Sequence, residues 1–111
     1  MALTFQLLRA TVALAADGDI VAAQAGKIIR VHSLILDQLE DAANQSATIT
    51  SDDASGAVLM QAVEMHPSRP ALVLPFSEEG WFETVAGEAL FLNITGGSSP
   101  LWKVTVSYTL I

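Results

Sequence analysis

Cysteine is absent from this 111-residue sequence, and its absence excludes several kinds of chemistry. Without thiols the chain has no disulfide framework, no thiolate metal site and no cysteine nucleophile. Charged residues are also scarce, at 15% of the chain, against about 25% in an average soluble domain. Because apolar residues make up 51%, we expect a small domain of this composition to bury part of its surface against another protein.

Positive charge is the scarcer sign, since 5 Lys and Arg oppose 12 Asp and Glu for a net charge of −7. Such a chain repels phosphate backbones, so we expect no nucleic-acid partner. No apolar run reaches the roughly 18 residues that span a bilayer, so we expect no membrane partner either. Residues 13–15 fit a signal-peptide cleavage pattern, but Arg9 interrupts the preceding apolar run, and a first β-strand is the better interpretation.

Alternation of apolar and polar residues predicts strands along most of the chain. Trp102 to Leu110 alternates with a period of two, and residues 27–36 are apolar on both faces, as in a strand with two neighbours. Further strands are predicted at residues 11–15, 20–23, 47–50, 58–65, 72–76 and 89–95. Asp17-Gly18 predicts a β-hairpin between the first two of these.

Turn residues separate the predicted strands at intervals of about 8 to 16 residues, which is typical of a sandwich or a barrel. Turns are predicted at residues 25–26, 51–56, 66–70, 77–80 and 96–100. The only helical alternative lies at residues 34–43. We therefore predict a single all-β domain over residues 1–111.

Reactive residues do not form a recognisable catalytic or metal-binding pattern. Neighbouring acids at 52–53 and 78–79 diverge in turns instead of converging on one substrate. His32 and His66 lack the spacing of a zinc site, and the glycines at 96–97 lack the lysine of a P-loop. We expect no enzyme activity, no metal and no cofactor.

The most informative cluster places three aromatic residues around a glycine turn. Phe76, Gly80, Trp81 and Phe82 lie within seven positions of one another, and Gly87 opens the next strand. In one interpretation Trp81 or Phe82 closes one end of the core while the glycines adopt positive φ. In the other, an exposed aromatic residue anchors a subunit interface.

Three motifs resemble, in order, a group of small β-sandwich virion proteins of tailed bacteriophages. The motifs are Ile20-Val21-Ala22-Ala23 with Gly26-Lys27-Ile28-Ile29-Arg30-Val31, then Gly80-Trp81-Phe82-Glu83-Thr84, then Gly87-Glu88-Ala89-Leu90. The resemblance extends over residues 11–111, and Gly96-Gly97 matches a further glycine pair that the group has before its last strand.

This resemblance implies an antiparallel, jelly-roll-like β-sandwich of about eight strands. It implies a capsid decoration (cement) protein on the outer surface of the virion capsid, a homotrimer with the major capsid protein as partner. The alternative is a tail or fibre component that binds a host receptor or a glycan. The structural and interface candidates are Phe76, Gly80, Trp81, Phe82, Gly87, Glu88 and Trp102.

Three further expectations concern contacts with other proteins. Residues 1–9 are predicted as an N-terminal arm that docks on the capsid or a sister subunit, or completes the sandwich. Residues 38–45 form an acidic loop where the group has a short turn, and are expected to make contacts specific to this virion. Apolar residues on the strand faces are candidates for such contacts, with Leu34, Leu36, Phe91 and Trp102 as examples, and alternation alone does not distinguish core from interface among them.

Overall fold

The structure, a computed structural model, describes residues 6–40, 45–65, 71–96 and 101–111. These residues form β-strands and no helix, as the alternation in the sequence predicts. The nine strands are β1 (Leu8–Leu14), β2 (Gly18–Val21), β3 (Ile29–Glu40), β4 (Gln45–Ser51), β5 (Val58–Met65), β6 (Ala71–Leu74), β7 (Phe82–Glu83), β8 (Leu90–Thr95) and β9 (Leu101–Leu110). Within the described ranges there is accordingly no helix that could cross a membrane.

The strands form two antiparallel sheets that pack as a sandwich. The larger sheet has the order β1-β9-β3-β6, with β7 also paired to β3, and the smaller sheet has the order β2-β8-β4-β5. Most connections cross from one sheet to the other, and the last strand lies between the first and the third. This is the topology of a jelly roll, so the predicted fold class is confirmed.

The edge of the larger sheet is one strand in two pieces. β6 pairs with β3 at residues 34–37, and β7 pairs with β3 at Arg30 and Val31. Pro75 follows β6 directly and has no amide proton for the ladder, while Gly80 turns the chain back with a φ of +85°. The interruption explains why nine strands are present where the sequence predicts about eight.

The core lies between the sheets and contains the inward-facing apolar side chains of both. Leu34, Leu36, Trp102 and Val104 are fully buried from the larger sheet, and Ile49, Leu90 and Leu92 from the smaller sheet. Trp102 in β9 also donates its Nε1–H to Gln45 Oε1 in β4, at 2.5 Å. This buried hydrogen bond joins the two sheets and satisfies the indole donor.

The hairpin predicted at Asp17-Gly18 was wrong. β1 pairs with β9, whereas β2 pairs with β8 in the other sheet, so this turn carries the chain between sheets. Asp17 Oδ1 accepts a hydrogen bond from the Ile94 amide at 2.7 Å. Turn residues are equally suited to a sheet-to-sheet connection, which the local sequence does not distinguish from a hairpin.

Two other local expectations are corrected in part. The helix considered for residues 34–43 is wrong over residues 34–40, which belong to β3; residues 34–39 alternate between buried and less buried positions. The loop predicted over residues 38–45 is likewise wrong at its ends, since β3 continues to Glu40 and β4 starts at Gln45. Residues 41–44 and the turn at residues 66–70 lie outside the described residues, as do residues 97–100 of the last predicted turn.

The predicted N-terminal arm overlaps the first strand. Leu8 and Arg9 are Cα partners of Tyr108 and Ser107, so these two residues complete the larger sheet. Residues 1–5 lie outside the described residues.

Candidate functional site

The outward side of the larger sheet carries several exposed large apolar side chains. We call this surface the outer face; it consists of the outward-facing residues of β1, β9, β3 and β6. The register aligns these residues in rows across the strands. One row contains Thr11, Thr105, Ile35 and Val73, and the next contains Arg9, Ser107 and Ser33.

Exposed aliphatic and aromatic side chains lie together on the outer face. Ile35 is 41% exposed and its cross-strand neighbour Val73 is 58% exposed, although both lie in the ladder of a regular sheet. Phe76, just beyond the end of β6, is 57% exposed. Scattered surface apolar residues are ordinary, but a contiguous group of this kind marks an interaction surface.

A depression of about 380 Å³ opens on the outer face beside Phe76. Its lining includes Leu7, Arg9, Ser33, Ile35, Phe76 and Ser107. The Oγ atoms of Ser33 and Ser107 are 2.5 Å apart and hydrogen-bond to each other. One of the two hydroxyl groups donates its proton to the other, and most of the remaining lining is apolar.

Two of the basic residues of the chain lie on the outer face. Arg9 and Lys103 are exposed on the outer face, where Asp37 is the Cα partner of Lys103. No described carboxylate lies within ion-pair distance of Arg9. By contrast, Arg30 is paired with Glu83 at 2.9 Å.

The loop between β6 and β7 borders the depression and is fixed to β3 through His32. His32 lies where the β3–β9 register shifts by one residue, and its ring stacks on Phe76 with centroids 5.7 Å apart. The Nδ1 atom is 2.8 Å from the Ser77 carbonyl oxygen and the Nε2 atom is 2.9 Å from Thr109 Oγ1. Because a carbonyl only accepts, Nδ1 carries a proton and donates it.

The aromatic cluster predicted from the sequence is divided between surface and core. Trp81 is 46% exposed, and its Nε1–H donates to the Pro75 carbonyl oxygen at 2.8 Å. Phe82 instead packs against the hydrophobic core from the end of the sandwich. Gly80 and Gly87 both adopt positive φ. Phe82 and the two glycines fit the first interpretation of the cluster, and Trp81 has the exposure that the second requires.

Acidic side chains gather in the turns at the end of the sandwich where β4 stops and β8 starts. Ser51 donates its hydroxyl proton to Glu88 Oε1 at 2.7 Å, which gives Glu88 a structural contact. Partial desolvation and the nearby carboxylates of Asp53, Glu88 and Asp19 raise the pKa of Asp52 above its ordinary value. Among the described residues, no group of three or more His, Asp or Glu side chains could hold a metal ion.

Three of the four apolar candidates for contacts with another protein lie in the core. Leu34, Leu36 and Trp102 are fully buried within the chain, which decides for them between core and interface. Phe91 is half-buried in β8. Sequence reasoning missed Ile35 and Val73 as surface residues. For Ile35 the reason is that a central strand with apolar residues on both faces gives no sign of which face is covered.

Searches of protein-family models and of curated proteins found no match to this chain.

Proposed function

We propose that this chain is a capsid decoration protein of a tailed bacteriophage. In this proposal it binds the outer surface of the head as a homotrimer, with the major capsid protein as its partner, and stabilises the capsid lattice. The motif resemblance supplies the class of protein. The observation that carries the proposal is the apolar outer face, on which Ile35 and Val73 are exposed side by side next to Phe76.

The outer face supports a binding function for a physical reason. Apolar area that a partner covers contributes roughly 25 cal/mol per Å² to association, whereas the same area exposed to water contributes nothing. An interface core is typically depleted in charge and rich in aliphatic and aromatic side chains. Around Ile35 and Phe76 the outer face is rich in aliphatic and aromatic side chains, and Arg9 is the charged residue that lines the depression there.

Stabilisation would follow from mass action. A protein that binds only the assembled shell adds its binding free energy to the assembled state and to no other. Linking three copies in a trimer converts weak contacts into strong attachment, because the second and third binding events are intramolecular. No catalytic group is needed for this function.

Exposure of Trp81 favours one alternative, a tail or fibre component that binds a glycan. Glu78 and Glu79, both exposed, come shortly before Trp81 in the sequence, and sugar-binding surfaces often combine an aromatic ring with polar neighbours. Decoration and glycan binding predict different numbers of copies in a virus particle.

The first test is the copy number of this chain in purified particles of the virus that encodes it, measured by densitometry against the major capsid protein. A ratio near one to one, or a simple fraction such as one to three, is expected for decoration. A ratio of a few per cent would contradict decoration and support the tail or fibre alternative. Absence from the particles would contradict both.

The second test is a pair of matched substitutions on the two sheets. Val73→Asp adds a charge to the outer face at a site that is 58% exposed, and Val58→Asp adds the same charge to β5 of the smaller sheet at a site that is 52% exposed. We expect Val73→Asp to lower occupancy on particles and Val58→Asp to leave it unchanged. Equal occupancy for both variants, with folding verified by circular dichroism, would exclude the outer face as the attachment surface.

A further inference from the structure

We infer that the depression on the outer face binds an extended segment of the partner protein in which an apolar side chain adjoins a carboxylate. This inference rests on the proposed function, because it assigns the chemistry of the partner that covers the outer face. The carboxylate pairs with Arg9, and the apolar side chain enters the depression between Ile35 and Phe76.

The size and lining of the depression suit a small part of a peptide. Its volume of about 380 Å³ lies at the low end of the range for ligand sites, roughly 300 to 1,000 Å³. Leu7, Ile35 and Phe76 surround it with aliphatic and aromatic carbon. One or two apolar side chains fill such a space, and a larger folded element does not enter it.

Among the polar residues that line the depression, Arg9 is the charged one. Ser33 and Ser107 already hydrogen-bond to each other, and Thr11 donates its hydroxyl proton to Thr105 at 3.4 Å. Arg9 has no ion pair with the described residues. A partner that covers the depression removes water from this guanidinium, and a desolvated charge without a counterion is strongly unfavourable. The partner must therefore supply an acceptor, and a carboxylate matches guanidinium geometry best.

Long-range electrostatics also favour an occupant other than a second copy of this chain. Each chain carries a net charge of −7, so two copies repel each other as they approach. On the outer face, however, Asp37 is the carboxylate that lies opposite Lys103, and Arg9 has no ion pair with the described residues. Arg9 therefore provides a local attraction for a carboxylate.

The test uses two peptides that differ in one charge, acetyl-Leu-Asp-Leu-amide and acetyl-Leu-Asn-Leu-amide. Each is titrated at low salt into the full ¹⁵N-labelled chain while the backbone amide shifts are recorded. We expect saturable shifts at Ser33, Ile35 and Ser107, with a dissociation constant for the Asp peptide at least about threefold lower, as for an exposed ion pair. The preference should weaken as salt is added.

A charge-matched pair of variants locates the effect. Arg9→Glu should abolish the preference for the Asp peptide, whereas Lys27→Glu, which makes the same change in an exposed loop away from the depression, should retain it. Equal affinity for the two peptides, or no saturable shift at these amides, would overturn the inference. So would concentration-dependent shifts at the same amides without peptide, which would identify a second copy as the occupant.

The titration contains no virus particle. A failure to bind peptide therefore leaves the copy-number test of the proposed function unaffected, and a low copy number leaves the peptide result unaffected.

Discussion

His32 donates a hydrogen bond from Nδ1 to the carbonyl oxygen of Ser77 at 2.8 Å, and this bond fixes the loop before β7 to the central strand of the larger sheet. The Ser77 amide returns a bond to the His32 carbonyl oxygen at 2.9 Å. Because Phe76 stacks on the same imidazole, His32 also holds one side of the depression in place. A nearly buried histidine is thus the link between the core strand and the candidate binding surface.

Replacing His32 with alanine should destabilise the chain by about 2–4 kcal/mol. The substitution removes two hydrogen bonds, leaves the Ser77 carbonyl and the Thr109 hydroxyl with one partner fewer, and creates a cavity beneath Phe76. Urea denaturation monitored by circular dichroism measures the loss. His32→Asn is the control, because its amide can still donate towards the Ser77 carbonyl and should recover part of the stability. Equal losses for both variants would argue against a role for that hydrogen bond.

Gly80→Ala should cost more stability than Gly26→Ala, although both glycines have positive φ. The left-handed conformation alone costs an alanine about 1–2 kcal/mol at either position. At Gly80 an added Cβ would also lie 2.7 Å from Arg30 Cγ and 3.2 Å from the Val31 carbonyl oxygen. At Gly26 it would meet no atom within 4 Å. Comparison of the two free energies of unfolding isolates the steric cost, and similar values would show that the loop adapts to the methyl group.

Strand positions and the sandwich class were predictable because they depend on local alternation. Trp102 to Leu110 alternates along the sequence, and Trp102, Val104 and Val106 are buried as that pattern predicts. Beyond Val106 the order is reversed, because Ser107 and Thr109 are more buried than their apolar neighbours. Positive φ at Gly80 and Gly87 was also predictable, since each glycine lies in a turn between strands. These properties require no knowledge of which strands are neighbours.

Properties that depend on distant pairing were not predictable. The Asp17-Gly18 turn has the residues of a hairpin, but the strands on either side pair with β9 and β8. Ile35 and Leu36 have similar side chains in one strand, yet the first is 41% exposed and the second fully buried. Which of the two side chains faces the core depends on the side of the larger sheet that the smaller sheet covers, and the sequence of β3 alone does not show this. The candidate site could not be predicted for the same reason, because Arg9, Ile35, Phe76 and Ser107 come from separate parts of the chain.

Asp52→Asn should stabilise the chain at neutral pH and have little effect in acid. Desolvation and the carboxylates of Asp53, Glu88 and Asp19 place the folded-state pKa of Asp52 above 3.8, its value in the unfolded chain. Below pH 3.8 most molecules carry the proton on this group in both states, so the substitution changes little. As the pH rises through the folded pKa, the ionised carboxylate becomes a penalty in the folded state alone. Asparagine removes this penalty and tolerates the φ of +82° at this position.

The measurement for Asp52 is the urea midpoint of both proteins at pH 3.5 and pH 7. The difference in favour of Asp52→Asn should appear at pH 7 and shrink when salt is added, because screening weakens the repulsion among the carboxylates. Asp37→Asn removes a carboxylate from the outer face, away from this group, and serves as the control. A difference that is larger at pH 3.5 than at pH 7 would have the wrong sign for a raised pKa.

In the folded chain an aqueous quencher should reduce the fluorescence of Trp81 strongly and that of Trp102 weakly. Trp102 is fully buried between the sheets and hydrogen-bonded to Gln45, whereas Trp81 is 46% exposed. In Trp81→Phe, which retains only Trp102, iodide should quench the folded protein weakly and the urea-unfolded protein strongly. In Trp102→Phe the remaining Trp81 should be quenched in both states.

Trp102→Phe should also lower the free energy of unfolding by about 2–4 kcal/mol, since it removes the indole N–H from Gln45 and leaves a void in the core. Trp81→Phe, which removes only one exposed hydrogen bond to Pro75, should cost less. Strong quenching of Trp102 in the folded chain would contradict its place in the core and return it to the group of residues available for contacts with another protein.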